Sequence, residues 1–366
     1  MPTPTSFRES NFYRSPIRDL GLALAGTPLE PIIAQFEQEL HEKGIVRVRP
    51  KCYLSTEWGV PFGTIAIAIP FYLARPDLLE LHGEQVGHIE GFSPSDILRY
   101  LRHEMGHVVN YAYKLYEQEE WVQQFGSITQ PYEENYRPQP FSRRFVRHLP
   151  GWYAQKHPDE DWSETFAVWM SPHRDWRHEY REWPAALKKL DYCEQTMLRL
   201  RDVDPIVTAT DLDESVTDLD YTVEQYYQKF YPDEAAAAAI GLDGALRAIF
   251  EDLAEVHGKG NSVQVVPAAT LIRKLQRPLM AEVFRWTGHF PERTRALIRH
   301  LADRAEALQQ VYFADHEHQA QLAITIFVTS LAMNYVHRGS YFPEPEAKQE
   351  ERQKSEVRSQ KSEGTE

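Results

Sequence analysis

Apolar residues recur at helical spacing at Ile97, Leu101, Met105, Val108, Ala112 and Leu115, while Tyr100, His103, His107, Asn110 and Lys114 fall on a separate polar stripe of the same segment. The pattern predicts a helix with one face for a core and another for chemistry. Its start is written in Ser93-Pro94-Ser95-Asp96, with Ser93 as N-cap, Pro94 at the first helical position and Asp96 closing a capping box near the positive end of the helix dipole.

Upstream, Ser15-Pro16 and Thr27-Pro28 each open a short helical pattern, the second running through Ile32, Phe36 and Leu40 to Gly44. From Val46 to Arg49 apolar and basic residues alternate, and extended chain is expected over 51–55. Residues 63–70 form a β-branched run of period two whose end at Pro70 predicts an edge or a strand terminus. Such a pair either presents an edge that holds an extended peptide by main-chain hydrogen bonds or simply covers the helix; the sequence leaves both open. Residues 117–150 are rich in Tyr, Arg, Pro and Gln and lack periodicity, and a loop of this length beside a site is often a lid or a specificity wall.

A second helix is expected over 157–170. Pro158 suits its first turn, Asp159, Glu160 and Asp161 its positive end, and Ser171-Pro172 stops it. Beyond an acidic, weakly patterned boundary at 204–220, helices are expected over 221–231, 233–257, 271–286 and 291–335, the last with Leu297, Leu301, Ala305 and Leu308 as its stripe. These readings give an α+β chain: a first domain at 1–203 with a small sheet, a mainly helical lobe at 221–341, and a charged tail at 342–366 with too little apolar content to fold.

At 366 residues the chain exceeds the usual size of a single core, in keeping with two lobes. A formal net charge of −14 argues against a general nucleic-acid or anionic-membrane binder. The two cysteines, Cys52 and Cys193, form no Cys-x-x-Cys pair for a zinc ribbon and no disulfide framework, which points to a reducing compartment. The polar N-terminus does not read as a signal peptide, and no apolar run approaches the ~20 residues of a transmembrane helix. The expectation is a cytoplasmic protein with neither nucleic acid nor membrane as partner.

The chemistry lies in His103-Glu104-Met105-Gly106-His107, an H-E-x-x-H string. On a helix the two imidazoles stack one turn apart on one face and can bind one metal ion, with Glu104 beside it as general base rather than ligand. The string alone also arises by accident. Here the N-cap, the apolar opposite face and the small Gly106 between the histidines all fit a packed metal-site helix. A third ligand is sought on the second helix. Glu164, among Phe166, Ala167, Val168 and Trp169, is a carboxylate too costly to bury unless paired or metal-bound, and small Ala167 lies one turn on. It is the preferred ligand. Glu160 and Asp161, a turn earlier on roughly the same face, are the alternatives, with Asp161 better suited to orienting a ligand histidine. His148 and His157 read as surface histidines, as do His316 and His318, which point to different faces of their helix.

Glu57-Trp58-Gly59-Val60-Pro61, Ile69 to Ala74, the His103–His107 string and Pro158 to Ala167 together resemble a largely uncharacterised bacterial family of zinc-binding metallopeptidases. More broadly they are similar to the gluzincins, in which a glutamate on a later helix completes an H-E-x-x-H site. The resemblance covers about residues 45–176. It implies a zincin-like fold for the first domain, Zn²⁺ held by His103, His107 and Glu164, Glu104 as general base, and a peptide or protein substrate cleaved by water activated at the zinc. The cysteine-rich zinc ribbon of related chains is missing. The interval from His107 to Glu164 is longer than in compact gluzincins, which bears on the lid and cleft rather than the ligands. Tyr132, Tyr136, His148 and Tyr153 are candidates for stabilising the oxyanion. The alternative function is an inactive or latent zinc-stabilised interaction protein that keeps the ligands but has no need of Glu104.

Overall fold

The apolar stripe ending the H-E-x-x-H segment is buried along Ile97, Leu101, Met105, Val108 and Ala112. In the computed structural model, which describes residues 11–132, 136–228, 242–257 and 264–341, the chain forms helices with two small sheets and is of mixed α+β type. It divides into two compact units: Met1–Glu234 with Gln276–Ala296, and Ala235–Leu275 with Leu297–Glu366. No helix among the described residues is long and apolar enough to cross a membrane.

The first unit runs through α1 (Leu29–Glu42), β1 (Lys51–Ser55), β2 (Ala66–Pro70), α2 (Pro76–Gln85), α3 (Pro94–Ala112), α4 (Glu119–Phe125), α5 (Pro158–Met170), α6 (Trp176–Glu179), α7 (Pro184–Leu200) and α8 (Val223–Gln228). The chain then builds α9 (Asp243–Ile249), β3 (Glu251–Asp252), α10 (Leu253–His257), β4 (Val265–Pro267) and α11 (Ala268–Lys274) of the second unit. It returns to the first as α12 (Gln276–Thr287), and α13 (Pro291–Ala307) carries it into the second again, which β5 (Gln310–Phe313) and α14 (Glu317–Arg338) complete. The helical lobe expected over 221–341 is therefore shared: α8 and α12 belong to the first unit. The second unit carries a three-stranded antiparallel sheet in the order β3-β5-β4, closed by an Arg304–Asp243 ion pair between α13 and α9. The start of the helix expected over 233–257 and the whole of the tail at 342–366 lie outside the described residues.

β1 and β2 pair in parallel, Lys51 against Ala66 through to Ser55 against Pro70. The expected alternation at 46–49 is not a strand; extended pairing begins only at Lys51. All five residues of β2 are buried, and its other edge is taken by a bridge in which Ala68 N–H donates to the Gly59 carbonyl. Among the described residues β2 is thus flanked on both sides, and the sheet covers α3 rather than offering that edge to a peptide. What the short crossover supplies instead is a rim, Trp58–Gly59–Val60, thrown over the polar side of α3.

The local signals at both site helices act largely as the sequence predicts. The Ser93 hydroxyl accepts from Asp96 N–H, capping α3. Asp96 differs in one respect: its carboxylate reaches back past the cap to the N–H groups of Gly91 and Phe92. At α5 the cap is His157, whose Nδ1 accepts from Asp159 N–H, with Pro158 at the first position. α3 and α5 then cross with almost nothing between them. A Cβ on Gly106 would stand 2.6 Å from the Cα of Ser163, and Trp162 Nε1 donates to the Gly106 carbonyl at 2.8 Å. Only glycine allows this approach.

Gly106→Ala is therefore expected to force the two helices apart and to cost about 1–3 kcal/mol or more, as overpacking does, read as a lower urea midpoint; an unchanged midpoint would refute the contact. A second expectation concerns acid. Burial pushes the imidazoles of His82 and His289 down to about 3 each, so in the unfolded chain they take protons from about pH 6.5 downward while the native state resists. Their contribution is whole above the unfolded value and is lost as pH falls, by about 2 kcal/mol per histidine at pH 5. The difference in unfolding free energy between pH 7 and pH 5 should shrink by about that amount in His289→Gln. An identical difference in wild type and variant would contradict it.

Candidate metal centre

α3 and α5 face each other across the Gly106 contact, and the acids of α5 are buried rather than solvated. His103 and His107 sit one turn apart, as expected. Their Nε2 atoms are 3.3 Å apart, and Glu160 Oε2 lies 3.0 Å from the first and 3.3 Å from the second. A tetrahedral ion with ligand bonds of about 2.0–2.2 Å spaces its ligand atoms by about 3.3–3.6 Å, close to this triangle. His103, His107 and Glu160 could hold a metal ion, and no other such group of His, Cys, Asp or Glu occurs among the described residues.

The opposite ring nitrogens are also engaged. His103 Nδ1 is 3.0 Å from Glu164 Oε1. His107 Nδ1 is 2.9 Å from Asp159 Oδ2, an ion-pair contact without the alignment of a good hydrogen bond. Carboxylates on both Nδ1 atoms favour the tautomer with the proton there, which turns the Nε2 lone pairs toward each other and toward Glu160. Each carboxylate is fixed in turn. Glu164, wholly buried, accepts the N–H groups of His148 and Leu149 at 2.9–3.1 Å. Asp159 accepts from Asn110 Nδ2 at 2.6 Å and from Tyr111 OH at 2.5 Å, and Glu160 Oε1 accepts from Tyr132 OH at 2.6 Å.

The structure therefore brings Glu160, not Glu164, to the paired Nε2 atoms, although the two acids share one face of α5. Glu164 is where its burial requires, but its charge is met by two backbone N–H groups and the back of His103. Asp161 does not reach a site histidine: it pairs with Lys189 of α7 at 2.5 Å, and burial nonetheless pushes it up to about 7. Orienting a histidine falls to Asp159, which the sequence reading grouped with the dipole-favoured acids.

The cluster draws positive charge. Burial alone would lower both imidazoles, but hydrogen bonds to Glu160 and Glu164 and the charges of Glu160 and Glu104 raise His103 to about 9, and Asp159 and Glu160 raise His107 well above its ordinary range. Glu104 feels the charges of this cluster but lies outside its hydrogen bonds. It is 4% exposed, no described residue hydrogen-bonds to its carboxylate, and burial pushes it up against the opposing pull of the two histidines. Two cavities share Trp58, His103, Glu104 and Tyr153. One, of about 380 Å³, continues past Phe62, Ile128 and His157; the other, of about 250 Å³, passes Glu57, Glu90 and Glu292.

Of the residues named for the oxyanion, Tyr132 and Tyr153 line the larger cavity and Tyr136 and Tyr153 the smaller, but Tyr132 OH is committed to Glu160. Among the described residues Tyr153 OH hydrogen-bonds only with Tyr132 OH, at 3.2 Å, and its ring meets His103 edge-on. Tyr136 donates to the Gly151 carbonyl, and His148 lies behind Glu164 with Nε2 on the Arg99 carbonyl. His157 is no free surface histidine either, since it caps α5 and lines the larger cavity. Comparison with known proteins found no matching family model, curated protein or solved structure.

The geometry predicts different losses for the two glutamates of α5. Offered Zn²⁺ and assayed by elemental analysis after gel filtration, wild type should retain about one ion per chain, Glu160→Gln very little, and Glu164→Gln an ion held roughly 10–100-fold more weakly, as for partners of a ligand. Loss in Glu164→Gln with full retention in Glu160→Gln would reverse the assignment.

Proposed function

We propose that the chain is a zinc-dependent metallopeptidase of gluzincin-like, zincin-type architecture, with His103, His107 and Glu160 as ligands and Glu104 as general base. One observation carries the reading: three converging ligand atoms, each imidazole backed by its own carboxylate, beside a buried carboxylate that takes no part in the network and opens onto a cleft. A purely structural metal site is closed by a fourth protein ligand, whereas three ligands with an open side are the catalytic pattern. The resemblance of the residues around 57–61, 69–74 and 158–167 to zinc-binding metallopeptidases points the same way, with Glu160 taking the ligand role which that resemblance gave to Glu164.

Zinc bound there supplies Lewis acidity toward a peptide carbonyl and toward water. The chain's own groups do the rest. Glu104, raised by burial, is a better base than an exposed glutamate; it accepts a proton from the attacking water as the new C–O bond forms and returns it to the amine as the C–N bond breaks. Tyr153 is the hydroxyl best placed to donate to the developing oxyanion, because its neighbour Tyr132 is held by Glu160. Trp58, stacked on Tyr100 at 5.2 Å and donating to the Glu90 carbonyl, gives the cleft a rigid aromatic wall against which a substrate can be held.

The test is cleavage of a diverse peptide library read by mass spectrometry, zinc-loaded wild type against Glu104→Ala. Cuts are expected with wild type alone, and the variant should retain its zinc. An absence of cuts with zinc bound in both proteins would instead favour a metal-stabilised interaction protein. Equal cutting by both would remove Glu104 from the mechanism.

A further inference from the structure

A third cavity, of about 520 Å³, is lined by five arginines of the first unit: Arg99, Arg102, Arg147, Arg174 and Arg285. Two are neutralised, Arg102 by a two-pronged pair with Glu39 and Arg174 by one with Glu179. The others are not matched in this way. Among the described residues Arg99 and Arg147 pair with no carboxylate, and Arg285 has only Glu282, 3.6 Å away at the surface. Like charges in a half-buried hollow repel: burial, and then the charge of Arg285, lowers Arg147 against the opposing pull of Tyr180 and Glu164. His148, lining the same hollow, is pushed well down by burial, with the charges of His103, Arg99 and Arg174 adding to the effect.

Arg147 is also held ready. Its guanidinium lies between the rings of Trp152 and Trp286, at 4.3 and 4.5 Å from their centroids, and donates to the Arg285 carbonyl at 2.7 Å. Its backbone N–H donates to Tyr180 OH at 3.0 Å. A guanidinium so clamped loses little entropy on binding, and its planar fork matches oxyanions better than any other group. The volume lies within the range of small-molecule sites.

We infer that this hollow is a binding site for a small, multiply charged oxyanion of the phosphate class, held by Arg99, Arg147 and Arg285. It is separate from the substrate cleft, for neither His103 nor Glu104 lines it. The two sites share a strap: Arg147 reaches into the hollow while the N–H groups of His148 and Leu149, the next two residues, hold Glu164.

The test is isothermal titration of the full-length chain at constant ionic strength with inorganic phosphate, ribose 5-phosphate and citrate as probes, and with an oligoglutamate peptide. One site per chain is expected, taking the phosphates in preference to citrate and weakened roughly ten-fold or more in Arg99→Gln and in Arg285→Gln, as loss of a charge-assisted hydrogen bond implies. Arg177→Gln, a surface arginine outside the hollow, should bind as wild type does. Circular dichroism keeps a misfolded variant from being read as a loss of binding, and the exposed Arg285 is the safer of the two. The inference falls if the phosphates do not bind, if binding is indifferent to both substitutions, or if only the peptide binds.

Discussion

α5 buries four carboxylates within six residues, Asp159, Glu160, Asp161 and Glu164, and every one of them has to be met by positive charge or hydrogen-bond donors because an isolated buried carboxylate costs several kcal/mol. Much of the first unit answers that demand. α7 sends Lys189 to Asp161, α3 sends Asn110 and Tyr111 to Asp159, and the strap before α5 sends two backbone N–H groups to Glu164. Glu160 is left to two histidine nitrogens and a tyrosine. Those nitrogens are themselves turned inward by the acids on their far sides, an arrangement that could hold a metal ion.

The close crossing of α3 and α5 makes this possible. With Gly106 against Ser163 the helices approach until side chains on either flank of the contact meet directly, and ligand and orienting carboxylate come from successive turns of one helix. A crossing wider by a single methyl group would separate all of these pairs together. Glu104, on the same turn as Gly106 but lining the cleft, takes no hydrogen bond from the described residues. Which residues of α3 join the hydrogen-bonded cluster and which face the cleft is thus set by the angle each makes with α5.

The strap at 147–155 ties the remaining features together. Gly151, at φ +78°, lies where a Cβ would meet the Phe284 ring at 2.5 Å, so α12 can pack directly onto it. That brings Trp286 beside Arg147 and the edge of Phe284 into the smaller cavity of the cleft. A segment that reads as loop, followed by a helix far along the chain, together shape both hollows.

The N-cap at Ser93, the buried stripe of α3, the strand ending at Pro70, the start of α5 at Pro158 and the candidacy of His103, Glu104 and His107 are all legible in the sequence, because each depends on residues within one or two turns of each other. The pairing of two acids on α5 with two imidazoles on α3 is legible only as a set of alternatives. Glu160 and Glu164 share a face, and the sequence favours Glu164 because it lies among apolar residues; but burial asks only that its charge be met, and two N–H groups of a distant strap meet it. Which acid reaches the Nε2 atoms depends on helix crossing and side-chain rotamers, which no local pattern encodes. The arginine hollow is further still from view, since its members come from residues 99 to 285 and are ordinary surface arginines until the fold gathers them. Sequence determined the elements and the chemical types they carry; tertiary structure decided which charges face one another, because buried charge is balanced across contacts between segments and not along them.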